Sequence, residues 1–111
     1  MNDQQLAQLE IAKTKVRQLL GGDASGHADD HVERVALLAE HFASECSESV
    51  DLHEVLLTAW LHDVDDYKLV GKKQAEKLTN AVNIMTEAKV AEDLRLAVLE
   101  NIAAIGYSKR L

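Results

Sequence analysis

The amino-acid sequence predicts an all-α bundle of about five helices. Helix breakers are scarce, with no proline and only five glycines in 111 residues. Aromatic residues make up only 4% of the chain. Apolar residues recur at intervals of three and four along most of its length, which is the signature of helices with one buried face. A chain of this length forms one domain, residues 1–111. Its 47% hydrophobic content is ample for a core. A domain this small still buries only about 65% of the surface it exposes when unfolded.

Leu6, Leu9, Val16, Leu19 and Leu20 form a helical stripe that stops at Gly21-Gly22, so the first helix is expected from Asp3 to Leu20. A polar loop, Gly22 to Gly26, follows. The pattern resumes at about Asp29, where Val35, Leu38 and Phe42 follow His31 at helical spacing. His31 is therefore the first member of the second helix's apolar face. The polar run Ser44 to Val50 ends that helix. Asp51 and Glu54 make an acidic capping box, with Asp51 as the N-cap of a third helix from Leu52 to about Asp65. Leu52, Val55, Ala59 and His62 share a face of it, so His62 stands where a core residue is expected. Ala75, Leu78, Val82 and Met85 mark a fourth helix. Leu94, Val98, Ile102 and Ile105 mark a fifth, with Gly106 as its expected stop.

Charge and composition exclude several partners. Twelve basic and 19 acidic residues leave a formal charge of −7, which opposes a nucleic-acid backbone or an anionic membrane. No apolar run approaches the ~18 residues of a membrane span. The segment Met1 to Glu10 is polar and acidic, unlike a secretory signal. The single cysteine, Cys46, cannot form an internal disulfide, so a cytoplasmic setting is expected. Cys46 sits in a polar stretch with nothing to activate it and reads as structural.

Two histidines on inner helix faces carry the chemistry. A lone histidine there is ordinarily a hydrogen-bonded core residue. His31, however, is preceded by Asp29-Asp30, and His62 is followed by Asp63, Asp65 and Asp66. If the second and third helices are antiparallel neighbours, both acidic clusters meet at one end of the bundle. Two carboxylates about 4 Å apart repel by about 1 kcal/mol in water and about four times that near a protein surface. Solvation or a cation relieves that repulsion. Two imidazoles and a carboxylate suit Mn²⁺, Fe²⁺, Ni²⁺ or Zn²⁺, and suit oxygen-seeking Mg²⁺ less well. Other constellations are weaker. Ser25 and His27 are too local for a triad, His41 and His53 fall on charged faces and read as surface residues, and Gly21-Gly22 and Gly26 lack the surroundings of a phosphate loop.

These residues resemble the HD-domain metal-dependent phosphohydrolases, in particular their bacterial branch. The resemblance rests on His31-Val32-Glu33-Arg34-Val35-Ala36 and on Leu61-His62-Asp63-Val64 about 30 residues later. Gly26-His27-Ala28-Asp29-Asp30-His31 is similar to the branch's start, Asp66-Tyr67-Lys68 to its Asp-Trp-Lys, and Ile105-Gly106-Tyr107 to its Ile-Ser-Phe. It implies an HD-domain-like all-α bundle with His31, His62 and Asp63 on one divalent metal ion. Asp66 would orient the attacking water, and His27 and Lys68 would meet substrate phosphate. The implied activity is hydrolysis of a phosphoester or phosphoanhydride in a small phosphorylated molecule, a nucleotide above all. Two departures stand out. Ala28 and Asp29 replace the branch's Asp and aromatic residue. The family's fourth ligand is an aspartate on a later helix, and Asp93, the only aspartate after Asp66, lacks its surroundings. The resemblance thus implies a chain that lacks the family's C-terminal helices: a fragment of a longer protein, a shortened paralogue, or a module whose partner chain completes the site. The alternative expectation is a catalytically incomplete HD-like module that binds a ligand or forms a homodimer through the fifth helix.

Overall fold

A computed structural model describes residues 2–20, 28–45, 51–65 and 77–110, the side chains of 28–30 and 106–110 excepted. The chain is an all-α bundle. Its described helices are α1 (Asp3–Leu20), α2 (Ala28–Glu45), α3 (Leu52–Leu61), α4 (Thr79–Glu87) and α5 (Glu92–Arg110), with no strand among the described residues.

The first helix has the expected bounds. A reciprocal cap starts it: the Gln5 N–H donates to Asn2 Oδ1 at 2.8 Å, and the Asn2 N–H donates to Gln5 Oε1 at 3.1 Å. Asp51 caps α3 as expected, accepting from the Glu54 N–H at 3.2 Å. The other half of the expected box is absent, because the Glu54 carboxylate accepts from Asn101 of α5 instead. The third helix ends at Leu61 rather than near Asp65, and residues 62–65 form turns. The fifth helix runs through Gly106 to Arg110, so that glycine does not stop it. Glycine lowers helix propensity by about 1 kcal/mol, which a long packed helix absorbs.

Helix α3 is the hub. It packs on α1, α2 and α5, and seven of its ten residues are buried. A helix apolar on every side has no solvent face and must lie inside. The first helix docks on it through Leu9, Ala12 and Val16. Lys13 Nζ and Arg17 Cζ lie 5.7 and 5.3 Å from the ring centroid of the buried Trp60. Each such cation–π contact contributes about 0.5–1 kcal/mol.

Helix α2 corrects the expected face. It buries Val32 and Ala36, whereas Leu38 and Phe42 of the expected stripe are 57% and 67% exposed, beside an equally exposed Leu37. Small side chains let α2 approach the bundle, and the larger ones were the misleading part of the pattern. His53, expected at the surface, is 1% exposed. Its Nε2–H donates to Gln8 Oε1 at 3.0 Å, and the Gln8 amide donates to the Lys89 carbonyl at 3.1 Å. His53 thus ties α3 to α1 and to the turn between α4 and α5. That turn is a Schellman motif: Val90 N–H bonds to Met85 O, Lys89 N–H to Thr86 O, and Lys89 takes φ 63°.

Two predictions follow from these contacts. A side chain with a Cβ costs roughly 1 kcal/mol in the left-handed region, so Lys89→Gly should raise stability by about 1 kcal/mol. Thermal unfolding should show this as a rise of about 5 °C. Burial lowers the His53 pKa below its ordinary 6.5, against the opposing pull of Asp51. Its Nδ1 has no hydrogen-bond partner among the described residues, so a second proton there would find no acceptor. The unfolded chain therefore takes up this proton at higher pH than the folded one. Its contribution is complete above pH 6.5 and is lost as pH falls below that value. Urea midpoints at pH 7.5 and 5.5 should fall on acidification, and His53→Gln should flatten the slope.

Candidate metal centre

The antiparallel packing of α2 on α3 sets the start of one beside the end of the other. His31 lies on the first turns of α2, and His62 and Asp63 lie just past Leu61. The His31 and His62 ring centroids are 6.4 Å apart. Asp63 Oδ2 stands 3.1 Å from His62 Nε2 and 3.9 Å from His31 Nε2. One donor atom from each residue falls within 4.8 Å of the others. Bonds of about 2.1 Å to one ion put neighbouring donors roughly 3.0–3.5 Å apart. The His62–Asp63 separation meets that range, and the His31–Asp63 separation of 3.9 Å is longer.

His62 is held in one tautomer. Its Nδ1 lies 2.6 Å from the Ala59 carbonyl, which can only accept, so Nδ1 carries the proton. In a neutral ring Nε2 then turns a lone pair toward a carboxylate oxygen. A positive charge shared between them, a proton or a metal ion, removes that conflict. The backbone carbonyl behind Nδ1 is also the usual support of a metal-binding imidazole. His62 is nearly buried, Asp63 is partly covered, and the His31 side chain is 56% exposed. The cluster is therefore dry on the α3 side and open toward solvent on the α2 side, as an ion with free coordination positions requires.

Asp65 does not belong to this cluster, contrary to the sequence grouping. It is 5% exposed, and its carboxylate accepts from the Asn80 N–H at 2.7 Å and the Ala81 N–H at 2.8 Å. It caps α4, whose own cap residue Leu78 supplies no side-chain bond. Burial raises the Asp65 pKa, and the two N–H donors work against that rise. Asp93 also lies apart, exposed in the first turn of α5.

A cleft of about 320 Å³ opens beside His62 between α2, α3 and α5. Val35, Ala39, Val55 and Ala59 make its apolar walls, and Thr58 and Asn101 its polar part. Asn101 donates to Glu54 Oε2 at 3.0 Å and Thr58 Oγ1 at 3.2 Å. Sequence reasoning missed Asn101, although a polar residue beside Ile102 on an otherwise apolar face was a usable signal. It also missed Asn80, which periodicity does not mark. His27, Asp66 and Lys68, expected to act on water and phosphate, lie outside the described residues, as does Cys46.

The described helices include none long and apolar enough to cross a membrane. No family model and no solved structure match the chain. It is 39% identical to the uncharacterized protein YpgQ of Bacillus subtilis (strain 168), over 74% of this chain and 48% of the relative. The chain thus spans about half the length of the curated relative it matches.

Proposed function

We propose that this chain is the metal-holding part of an HD-type phosphohydrolase acting on a small phosphorylated molecule, most naturally a nucleotide. The observation that carries this reading is the convergence of His31, His62 and Asp63, with His62 Nε2 turned toward a carboxylate. The donor set, two imidazoles and one carboxylate, fits Mn²⁺, Fe²⁺, Ni²⁺ or Zn²⁺. When bound, such an ion supplies Lewis acidity toward water and toward a phosphoryl oxygen. The chain's own residues do the rest. The Ala59 carbonyl fixes the His62 ring, and the exposed His31 leaves the solvent side accessible to substrate. By the family resemblance, Asp66 orients or deprotonates the attacking water. Lys68 and His27 offset the charge of the phosphate. A chain of net charge −7 repels an anionic substrate, and local cations at the site counter this. A cytoplasmic setting, which the single cysteine favours, belongs to the same reading.

Metal analysis of the purified chain tests it. About one first-row divalent ion per chain is expected, with His62→Ala losing it. An ion at a hundred times its Kd adds about 2.7 kcal/mol. Chelation should therefore lower Tm by on the order of 10 °C. Equal metal content in His62→Ala, or none in the parent chain, defeats the proposal.

A second reading has its own observation. Leu37, Leu38 and Phe42 expose a contiguous apolar face on α2. An exposed face of this kind marks an association site. On this reading the chain is a catalytically incomplete helical module that pairs with a second copy. The α2 face presents more adjacent apolar side chains than the last helix, where Leu96 and Ile105 stand well separated. Sedimentation should then show a dimer that Phe42→Asp converts to monomer and that chelator leaves intact. A parent chain that stays monomeric at high concentration excludes this reading.

A further inference from the structure

His62 is the C-cap of α3, and Asp63 stands in the turn that follows it. On the α3 side their turn includes a long bond, Val64 N–H to Leu61 O at 3.3 Å. The firmer anchors come from α4. Its first turn grips the segment through the Asn80 and Ala81 N–H groups on the Asp65 carboxylate, and through Asn80 Nδ2, which donates to the Val64 carbonyl at 2.8 Å.

These bonds have different beneficiaries. The two backbone N–H groups belong to the start of α4, which has no side-chain cap of its own, so the Asp65 bonds stabilise that helix. The Asn80 side chain reaches away from α4. Its amide reaches back 16 residues to the carbonyl of the residue next to Asp63. Val64 is fully buried, so its carbonyl has little access to water and the amide is its natural donor.

We propose that Asn80 is a positioning residue for the metal centre: its side-chain amide holds the Val64 carbonyl and thereby fixes where Asp63 meets His62. This rests on the reading of His31, His62 and Asp63 as metal ligands. Ligand constellations tolerate displacements of only about 0.5 Å, and groups that orient ligands typically contribute 10–100-fold to metal affinity. On this reading Asn80 is no ligand itself and acts through the turn that carries Asp63.

Asn80→Ala is the direct test, because alanine suits a helix's first turn and leaves both Asp65 bonds in place. Asn80→Asp is the isosteric companion, the same size but without the donor. Calorimetric titration with Mn²⁺ and the visible spectrum of the Co²⁺ form are the readouts, with apo-protein Tm and far-ultraviolet circular dichroism as fold controls. The expected result is affinity weakened about tenfold or more in both variants, together with an altered Co²⁺ d–d band, while the apo fold is retained. Parent-like affinity and spectrum in both variants overturn the positioning role. Loss of the apo fold in both makes Asn80 a structural residue and overturns it as well. A parent chain that binds neither ion overturns the metal reading itself, a different result from a parent that binds and variants that bind equally well.

Discussion

The burial of most of α3 is the constraint on which the other features depend. A ten-residue helix with seven residues inside cannot rest on one neighbour, so α1, α2 and α5 surround it. Burying Leu56, Leu57, Trp60 and Leu61 contributes roughly 1.5–3 kcal/mol per large side chain. The same packing brings the end of α3 to the start of α2, because antiparallel neighbours put opposite termini together. The histidine–aspartate cluster is thus a by-product of how the core closes.

Polar groups inside the bundle connect helices that apolar contacts alone would leave free to slide. Gln8, His53 and the Lys89 carbonyl form one chain across three elements. Asn101, Thr58 and Glu54 join α5 to α3, and Asp65 with Asn80 joins the end of α3 to α4. A hydrogen bond of this kind contributes only about 1 kcal/mol net, but a buried group left unpaired costs about 1–3 kcal/mol. Slippage of α3 by one turn would strand several such groups at once. The network therefore selects one register of α1, α3, α4 and α5, and with it the placement of the turn that carries His62 and Asp63.

Local signals were legible in the sequence, and long-range ones were not. The bounds of α1 followed from a leucine stripe and a glycine pair. Asp51 was readable as a cap because capping is settled within four residues. The pairing of His31 with His62 was readable because both begin or end a helix whose neighbour is close in sequence. The face of α2 was misjudged because large apolar residues outweighed the small Val32 and Ala36, and size is not what decides burial when two helices approach closely. His53 was misjudged because its partner, Gln8, lies 45 residues away on another helix. Asp65 looked like part of an acidic cluster because its partners at residues 80 and 81 are invisible to periodicity. The end of α3 was placed too late for the same reason: α4 rather than helix propensity takes over the backbone after Leu61.

The arrangement around Asp63 also bears on whether a proton or an ion balances it. A proton on His62 Nε2 would satisfy the 3.1 Å contact with Asp63 as an ordinary charge-assisted hydrogen bond. It would leave His31 unaccounted for, since 3.9 Å is too long for a hydrogen bond between its Nε2 and the same oxygen. A proton serves two atoms, whereas an ion with bonds of about 2.1 Å can serve three that already lie within 4.8 Å of one another. His31 also stands 56% exposed on the turn of α2 that faces Asp63, where it contributes little to the core. On the reading proposed above, a ligand role accounts for this placement together with the tautomer imposed on His62 by Ala59.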